Sequence, residues 1–177
     1  SQPVAQWEAR ALSEKAPRAA LTALMALCRA GDPAQQTRVI EALDRISTQG
    51  LNTQDLDTLV RDYVLCFLRL GEPSSAQRKH VISRFSTLFP HSDVGLSQDL
   101  CELLVYLADD TVVAKGVPLV NTAPTQEEQI GYAKSLRLAK SGWTPDLREA
   151  YFKWFPRAPN YTGGASLCFF MYEIKRD

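Results

Sequence analysis

The feature that most restricts the fold of this chain is a turn-like pattern that occurs twice, 40 residues apart. Residues 29–33 and 69–73 both follow the pattern R-x-G-[DE]-P, and Arg38 and Arg78 keep the same offset beyond them. Glycine followed by a polar residue and a proline is typical of the end of one helix and the beginning of the next. A period near 40 residues with two helices per unit is about the size of a HEAT or armadillo repeat, so the pattern predicts an α-solenoid.

Apolar residues recur at helical spacing along most of the chain. The apolar run at 112–120 fits either a strand or a short helix, and the repeat phase together with the flanking helices favours the helix. We therefore predict an all-α protein, a right-handed HEAT/armadillo-like α-solenoid of about eight helices. The two clearest stripes consist of Leu21, Leu24, Met25 and Cys28, and of Val39, Leu43 and Ile46.

Local signals mark several helix ends in the sequence. Gly50 is expected to close the second helix of the first repeat, and Asn52 or Thr53 to cap the next helix. Residues 125–128 read T-Q-E-E, which is a capping-box pattern. A later helix is predicted over residues 144–155, because a threonine and a proline precede its apolar positions.

The composition of the chain changes toward its C-terminal end. Residues 143–174 hold two of the three tryptophans, four of the seven phenylalanines and three of the six tyrosines. We therefore predict HEAT-like repeats over residues 1–122 and an aromatic-rich helical segment, continuous with the stack, over residues 123–177. The chain begins at Ser1, and its last predicted helix runs to Asp177, so we expect it to be a piece of a longer protein.

The balance of basic and acidic side chains argues against nucleic acid as a partner. The 20 basic and 20 acidic side chains cancel. Binding to nucleic acid needs clustered cations that displace counterions from phosphates, so neither a nucleic-acid partner nor a HEAT-like DNA-repair glycosylase is expected. No apolar stretch approaches the roughly 18 residues of a membrane-spanning helix, so no membrane insertion is expected.

The sequence contains no converged catalytic or metal-binding set. The four cysteines lie at least 35 positions apart among apolar neighbours, which indicates buried thiols, with a disulfide between two of them left open. Adjacent residues on a helix point about 100° apart, so the acidic pairs at 109–110 and 127–128 are interpreted as helix-end residues. Neither His80 nor His91 has a cysteine or carboxylate at ligand spacing. No cofactor, metal or catalytic residue is therefore predicted.

The C-terminal third resembles one segment of large multidomain proteins from planctomycetes and related bacteria. In those proteins the segment follows a membrane-bound-dehydrogenase-like β-propeller and HEAT repeats, and it precedes a c-type cytochrome domain. The match is dense over residues 123–174 and looser back to about residue 55. The residues that carry it are Ala123-Pro124-Thr125-Gln126-Glu127-Glu128-Gln129-Ile130, Gly142-Trp143-Thr144, Leu147-Arg148, Tyr151-Phe152, Trp154-Phe155 and Gly163-Gly164.

The resemblance implies a periplasmic or extracellular setting and a spacer or docking role between redox domains. This chain departs from the family in two ways, because it has neither the C-x-x-C-H motif for haem attachment nor the propeller. Haem is therefore expected only in a separate downstream domain. Any sugar-dehydrogenase chemistry is likewise expected outside this chain.

The aromatic segment supplies the candidate partner-binding surface. Aromatic residues and arginine are good interface anchors, although packing within the terminal repeat also explains them. The loop after the aromatic helix ends in two glycines, whose N–H groups could face an anion or whose backbone could need positive φ. Asn160 also begins a formal N-glycosylation sequon. The candidate residues are Trp143, Arg148, Tyr151, Trp154, Phe155, Asn160, Tyr161, Gly163 and Gly164.

Two functions follow from these patterns. The first is a non-catalytic helical-repeat interaction or spacer module of a larger exported redox-type protein, which binds or positions neighbouring domains of the same chain. The alternative is an accessory domain of a carbohydrate-active or dehydrogenase enzyme, to which the aromatic residues contribute a ligand-binding surface.

Overall fold

The computed structural model describes residues 2–163 and 165–176, and within them the protein is all-α, with no β-strand. The described part holds ten α-helices, where about eight were expected from the repeat size. In the same residues, no helix combines the length and the apolar character needed to cross a membrane. The α-helices are α1 (Glu8–Ser13), α2 (Pro17–Ala30), α3 (Gln36–Asp44), α4 (Thr53–Leu70), α5 (Ser75–Phe85), α6 (Val94–Leu107), α7 (Val112–Thr122), α8 (Gln126–Leu136), α9 (Pro145–Phe152) and α10 (Ala165–Arg176).

The chain divides into two compact units, Ser1–Gln77 and Arg78–Asp177, with the division inside α5. In the first unit, α2 packs against α4, and both helices contact α3. The buried side chains of these helices occur at the spacings that the apolar stripes predicted. The fully buried ones include Leu21, Leu24, Leu27 and Cys28 of α2, Val39 and Leu43 of α3, and Leu59, Val60, Tyr63 and Cys66 of α4.

In the second unit, α8 is the central helix. It packs against α6, α7 and α10, and α7 also packs against α9. The apolar run after residue 111 forms α7, so its assignment to a short helix rather than a strand is confirmed. The predicted boundary at residue 123 falls within this unit, directly after α7.

The two copies of the repeated pattern occupy the same structural position. Gly31 directly follows α2 and Gly71 directly follows α4, so both mark the end of a helix. Their backbones nevertheless differ, because Gly31 has φ −81° and Gly71 has φ +125°. Within the first copy, Asp32 caps a short 3₁₀ helix by accepting from the N–H of Ala34 at 2.8 Å. The second copy leads directly into α5.

Two of the predicted helix ends need correction, and one predicted capping box forms only in part. The second helix, α3, ends at Asp44, and Gly50 lies in a later turn with φ +84°. Thr125 does cap α8, because its hydroxyl accepts from the N–H of Glu128 at 3.2 Å. The reciprocal half of the capping box is replaced by a bond from that hydroxyl to the Glu128 carboxylate at 3.1 Å. The helix expected to reach Phe155 ends at Phe152, because tighter three-residue hydrogen bonds follow it.

We expect the Asn52→Ala variant to lower the free energy of unfolding by about 1 kcal/mol. Asn52 is the N-cap of α4, and its side-chain oxygen accepts from the N–H of Asp55 at 2.8 Å. Alanine leaves that N–H without a protein partner at the helix end. Urea denaturation measures the change. Asn52→Ser is the matched control, since serine can also cap, and a loss as large in the serine variant would argue against the capping explanation.

Candidate functional site

The turn between α8 and α9 places the aromatic side chains of the second unit. Gly142 has φ +80°, and a Cβ at this position would lie 2.4 Å from the backbone oxygen of Asp110, so only glycine fits. Thr144 then caps α9 by accepting from the N–H of Leu147 at 3.2 Å. Trp143, between these two residues, donates its indole N–H to the carbonyl of Ala139 at 2.9 Å.

Tyr151 is the centre of the aromatic cluster. Its ring lies 5.3 Å from that of Trp143, 5.5 Å from that of Phe155 and 5.8 Å from that of Phe152, all at edge-on angles. Its hydroxyl donates to the carbonyl of Ala133 at 2.9 Å. Burial raises the pKa of Tyr151 to about 12, so the side chain stays a neutral donor at physiological pH. Edge-to-face geometry of this kind stabilises aromatic packing. Because Tyr151 is on α9 and its hydroxyl bonds to Ala133 of α8, it joins the two helices.

Trp154 belongs to the core and not to a surface. Its side chain is fully buried, and its indole N–H donates to the hydroxyl of Tyr161 at 2.9 Å. The Tyr161 hydroxyl in turn donates to the side-chain oxygen of Gln129 on α8. This relay satisfies the polar atoms that accompany the buried rings. Trp154 and Tyr161 therefore hold the segment after α9 against α8.

A cleft of about 510 Å³ lies beside this cluster. Four of the candidate residues line this cleft, namely Trp143, Arg148, Tyr151 and Phe155. Trp154, Asn160, Tyr161 and Gly163 do not line it, and Gly164 lies outside the described residues. Among the described residues, the lining consists of Arg137, Ala139, Lys140, Trp143, Arg148, Tyr151, Phe152, Phe155, Ile174 and Arg176.

The remaining candidates occupy the loop before α10. Asn160 ends a short 3₁₀ helix and is exposed, and its backbone N–H donates to the carbonyl of Arg157 at 3.0 Å. Gly163 is exposed, and a Cβ there would lie 3.0 Å from a methyl group of Leu167. The positive φ considered for this glycine is not among those that the structure shows. Close packing against Leu167 thus explains Gly163.

The cleft is strongly cationic. Within the described residues, Arg137, Lys140, Arg148 and Arg176 line it, and no carboxylate does. Glu173 lies beside it, 3.8 Å from Arg137 and 4.0 Å from Arg176. Arg137 and Arg176 therefore both face Glu173, whereas no carboxylate is in the described lining itself. Such an imbalance in a partly enclosed, aromatic-lined space favours a ligand that carries more than one negative charge.

Arg148 and Lys140 are exposed cations of the cleft, as is Arg176. The guanidinium of Arg148 lies over the Trp143 ring, 5.8 Å from its centroid, which is a cation–π arrangement. Among the described residues, neither Arg148 nor Lys140 has a carboxylate within ion-pair distance. Both charges are therefore available to a partner, and Arg148 also covers one face of the indole.

Sequence reasoning missed six of the ten described lining residues of this cleft. Arg137 and Lys140 follow α8, Phe152 ends α9, and Ile174 and Arg176 come from α10. The closely spaced basic residues at 137 and 140 were an available signal. No local pattern, however, places the end of α10 beside the end of α8. Phe152 is 59% exposed and adds an apolar wall to the cleft. The helical spacing of the sequence indicates only that Phe152 lies on a helix face.

The other motifs have structural roles in the described residues. Asp109 is buried and accepts from both the N–H and the hydroxyl of Thr111, at 2.9 and 3.0 Å, so it caps the turn before α7. The ring nitrogen Nδ1 of His91 accepts from the N–H of Asp93 at 3.0 Å. No group of histidine, cysteine and acidic side chains in the described part of the chain could hold a metal ion.

Comparison with known proteins does not assign this cleft. No protein family, no curated protein and no solved structure matches the chain. The function of the cleft therefore rests on the chemistry of its own residues.

Proposed function

We propose that this chain is a non-catalytic helical-repeat interaction module that binds an acidic segment of a protein partner in the cleft of the second unit. One observation carries the proposal: four cationic side chains and four aromatic rings line a cleft of about 510 Å³ that contains no carboxylate in its described lining. Carboxylates complement the cations, and apolar side chains of a partner complement the rings. A peptide with both kinds of side chain would use the whole cleft.

The packing within each unit supports a repeat architecture for this module. In the first unit, α2 packs against α4, which are alternate helices of the chain. In the second unit, α6 packs against α8, and α7 packs against α9. Contact between alternate helices is what a stack of two-helix repeats produces. The proposed architecture is a right-handed HEAT-like α-solenoid.

The proposed partner is a neighbouring domain of the same, longer protein. The resemblance of residues 123–174 to segments that lie between a propeller and a cytochrome domain supports this choice. In that setting the protein would be periplasmic or extracellular, and haem would belong only to the downstream domain. The module would then hold its neighbours at a defined spacing through the cleft.

A fluorescently labelled peptide that alternates glutamate with leucine tests the proposal. We expect its affinity, measured by fluorescence anisotropy, to fall about tenfold or more in the Lys140→Glu/Arg148→Glu double variant, because two attractive charges become repulsive. Raising the salt concentration should also weaken binding, since exposed charges are screened. Lys79→Glu is the matched control, because it reverses an exposed charge on α5 that does not line the cleft.

A second peptide, in which glutamine replaces glutamate, separates charge recognition from apolar adhesion. Equal affinity for the two peptides, or equal weakening by Lys79→Glu, would overturn the proposal. Tryptophan fluorescence titrated with oligosaccharides examines the alternative accessory-domain function. A saturable shift that requires Trp143 would favour that alternative over an acidic peptide.

A further inference from the structure

Two cations of the cleft in the second unit have an acidic side chain of the protein beside them. Glu173, on α10, places its carboxylate 3.8 Å from a guanidinium nitrogen of Arg137 and 4.0 Å from one of Arg176. Both arginines line the cleft, whereas Glu173 is not in its described lining. Arg137 directly follows α8, so its ion pair with Glu173 joins two helices that pack against each other. In the free protein, Glu173 therefore takes the place at Arg137 that a carboxylate of an acidic partner would need.

The pair of Arg137 with Glu173 is the more shielded of these two ion pairs. The side chain of Arg137 is 12% exposed, and that of Glu173 is 25% exposed. The side chain of Arg176, by contrast, is 56% exposed. Water and salt weaken the attraction between exposed charges more than the attraction between partly buried ones. Arg137 is thus the cation of the cleft on which Glu173 acts most strongly.

We propose that Glu173 is an intramolecular competitor of the acidic partner for Arg137. This inference rests on the function proposed above, in which the cleft binds an acidic segment of a partner. A partner carboxylate that approaches Arg137 is repelled by Glu173, and it pairs fully with the guanidinium only when Glu173 moves away. Glu173 belongs to the same chain, so it returns to Arg137 without a search through solution. The affinity of the cleft is therefore lowered by the fraction of molecules in which Glu173 holds Arg137.

Glu173 has a second position available when it leaves Arg137. Arg176 lies three residues later on α10, and residues at this spacing are neighbours on one face of a helix. The displaced carboxylate therefore keeps one cationic neighbour. Among the described residues, Lys140 and Arg148 have no carboxylate at ion-pair distance, so the acidic partner makes its first contacts with them. Partner binding then replaces the ion pair of Arg137 with Glu173 by an ion pair of Arg137 with the partner.

The Glu173→Gln variant tests this competition. Glutamine has nearly the size of glutamate and no charge, so it removes the competitor and leaves Arg137 in place. We expect the variant to bind the fluorescently labelled peptide of alternating glutamate and leucine about threefold or more tightly than the unaltered chain does, as measured by anisotropy. Its affinity for the peptide in which glutamine replaces glutamate should not change, because that peptide does not compete for a cation.

Two further variants separate competition from a general change of charge. Glu149→Gln is the matched control, because it neutralises an exposed carboxylate on α9 that pairs with Lys153 at 2.8 Å and does not line the cleft. It should leave the affinity for the glutamate peptide unchanged. In the Arg137→Gln background, Glu173→Gln should give less than about a twofold gain, because the contested cation is gone. Circular dichroism shows whether each variant is folded.

The results distinguish this inference from the proposed function. If Glu173→Gln left the affinity for the glutamate peptide unchanged while Lys140→Glu/Arg148→Glu still weakened binding, only the inference would be overturned. Equal gains for the two peptides would also overturn it, since they would mean that the substitution loosens the cleft. If neither the unaltered chain nor Glu173→Gln bound the glutamate peptide, the proposed function would be overturned, and the inference with it.

Discussion

The Trp154→Ala variant is expected to lose about 3 to 5 kcal/mol of the free energy of unfolding of the second unit. The indole is fully buried, so alanine leaves a large cavity that neighbouring helices can fill only in part. The change also removes the donor that satisfies the Tyr161 hydroxyl, and it removes an edge-on contact with the Phe155 ring at 5.4 Å. Each loss adds to the cost of the cavity.

Thermal or urea unfolding, followed by circular dichroism, measures this effect. Phe152→Ala is the matched control, because that ring lies only two residues earlier but is 59% exposed. We expect it to cost about 1 kcal/mol or less. Trp154→Phe separates the two contributions, since it keeps most of the ring and removes the N–H donor. Similar losses for Trp154→Ala and Phe152→Ala would show that Trp154 is not a core residue.

We expect Asp62 to dominate the dependence of the free energy of unfolding on pH. This carboxyl on α4 has no exposed surface, and neither of its oxygens has a hydrogen-bond partner. Burial raises its pKa to about 7, with a smaller opposing influence from Arg29. A buried carboxyl of this kind favours its neutral form.

The direction of the pH effect follows from the proton count. The unfolded side chain has a pKa near 3.8, and the folded one has a pKa of about 7, so between these values the folded state holds a proton that the unfolded state lacks. The contribution of the Asp62 carboxyl to the free energy of unfolding is therefore greatest at or below about pH 4. This contribution falls by about 4 kcal/mol in total as the pH rises to 7.

Asp62→Asn should remove most of this dependence. Between pH 5 and pH 8 the unaltered chain should lose about 3 kcal/mol, whereas the variant should lose little over the same range. Asparagine has nearly the same shape and cannot ionise, so the variant should be the more stable protein at pH 8. Urea denaturation at the two pH values measures both quantities.

The matched control is Glu41→Gln, which neutralises an exposed carboxylate on α3. It should leave the difference between pH 5 and pH 8 as it is in the unaltered chain. If Asp62→Asn retained the full pH dependence, the buried carboxyl would not be the group that titrates. If the variant were less stable than the unaltered chain at pH 8, the ionised carboxylate would have a partner that stabilises it.

Much of the helical structure could be predicted because its signals are local. Asn52, Thr125 and Thr144 cap the helices that the sequence assigned to them, since a cap needs only an acceptor side chain and an N–H two or three residues later. The helix at 112–122 was predicted against a competing strand from its flanking segments. The end of α9 was predicted three residues too late, because its last aromatic residues continue in a tighter turn.

The candidate site could be predicted only in part, because aromatic composition does not reveal which ring is buried. Trp143 and Trp154 looked alike in the sequence, but one lines the cleft and the other is in the core. The burial of Asp62, by contrast, follows from its position on α4. Asp62 lies three residues after Leu59 and four before Cys66, so helical spacing places it on the buried face of α4.

The sequence by itself determined that this protein is helical and where most helices begin and end, because periodicity and capping act within a few residues. The tertiary structure alone decided which distant residues meet. Arg137 and Arg176 share a cleft although 39 positions separate them. Such contacts depend on how whole helices pack, and the packing depends on many side chains at once. The cationic cleft is therefore a product of the fold and not of any local motif.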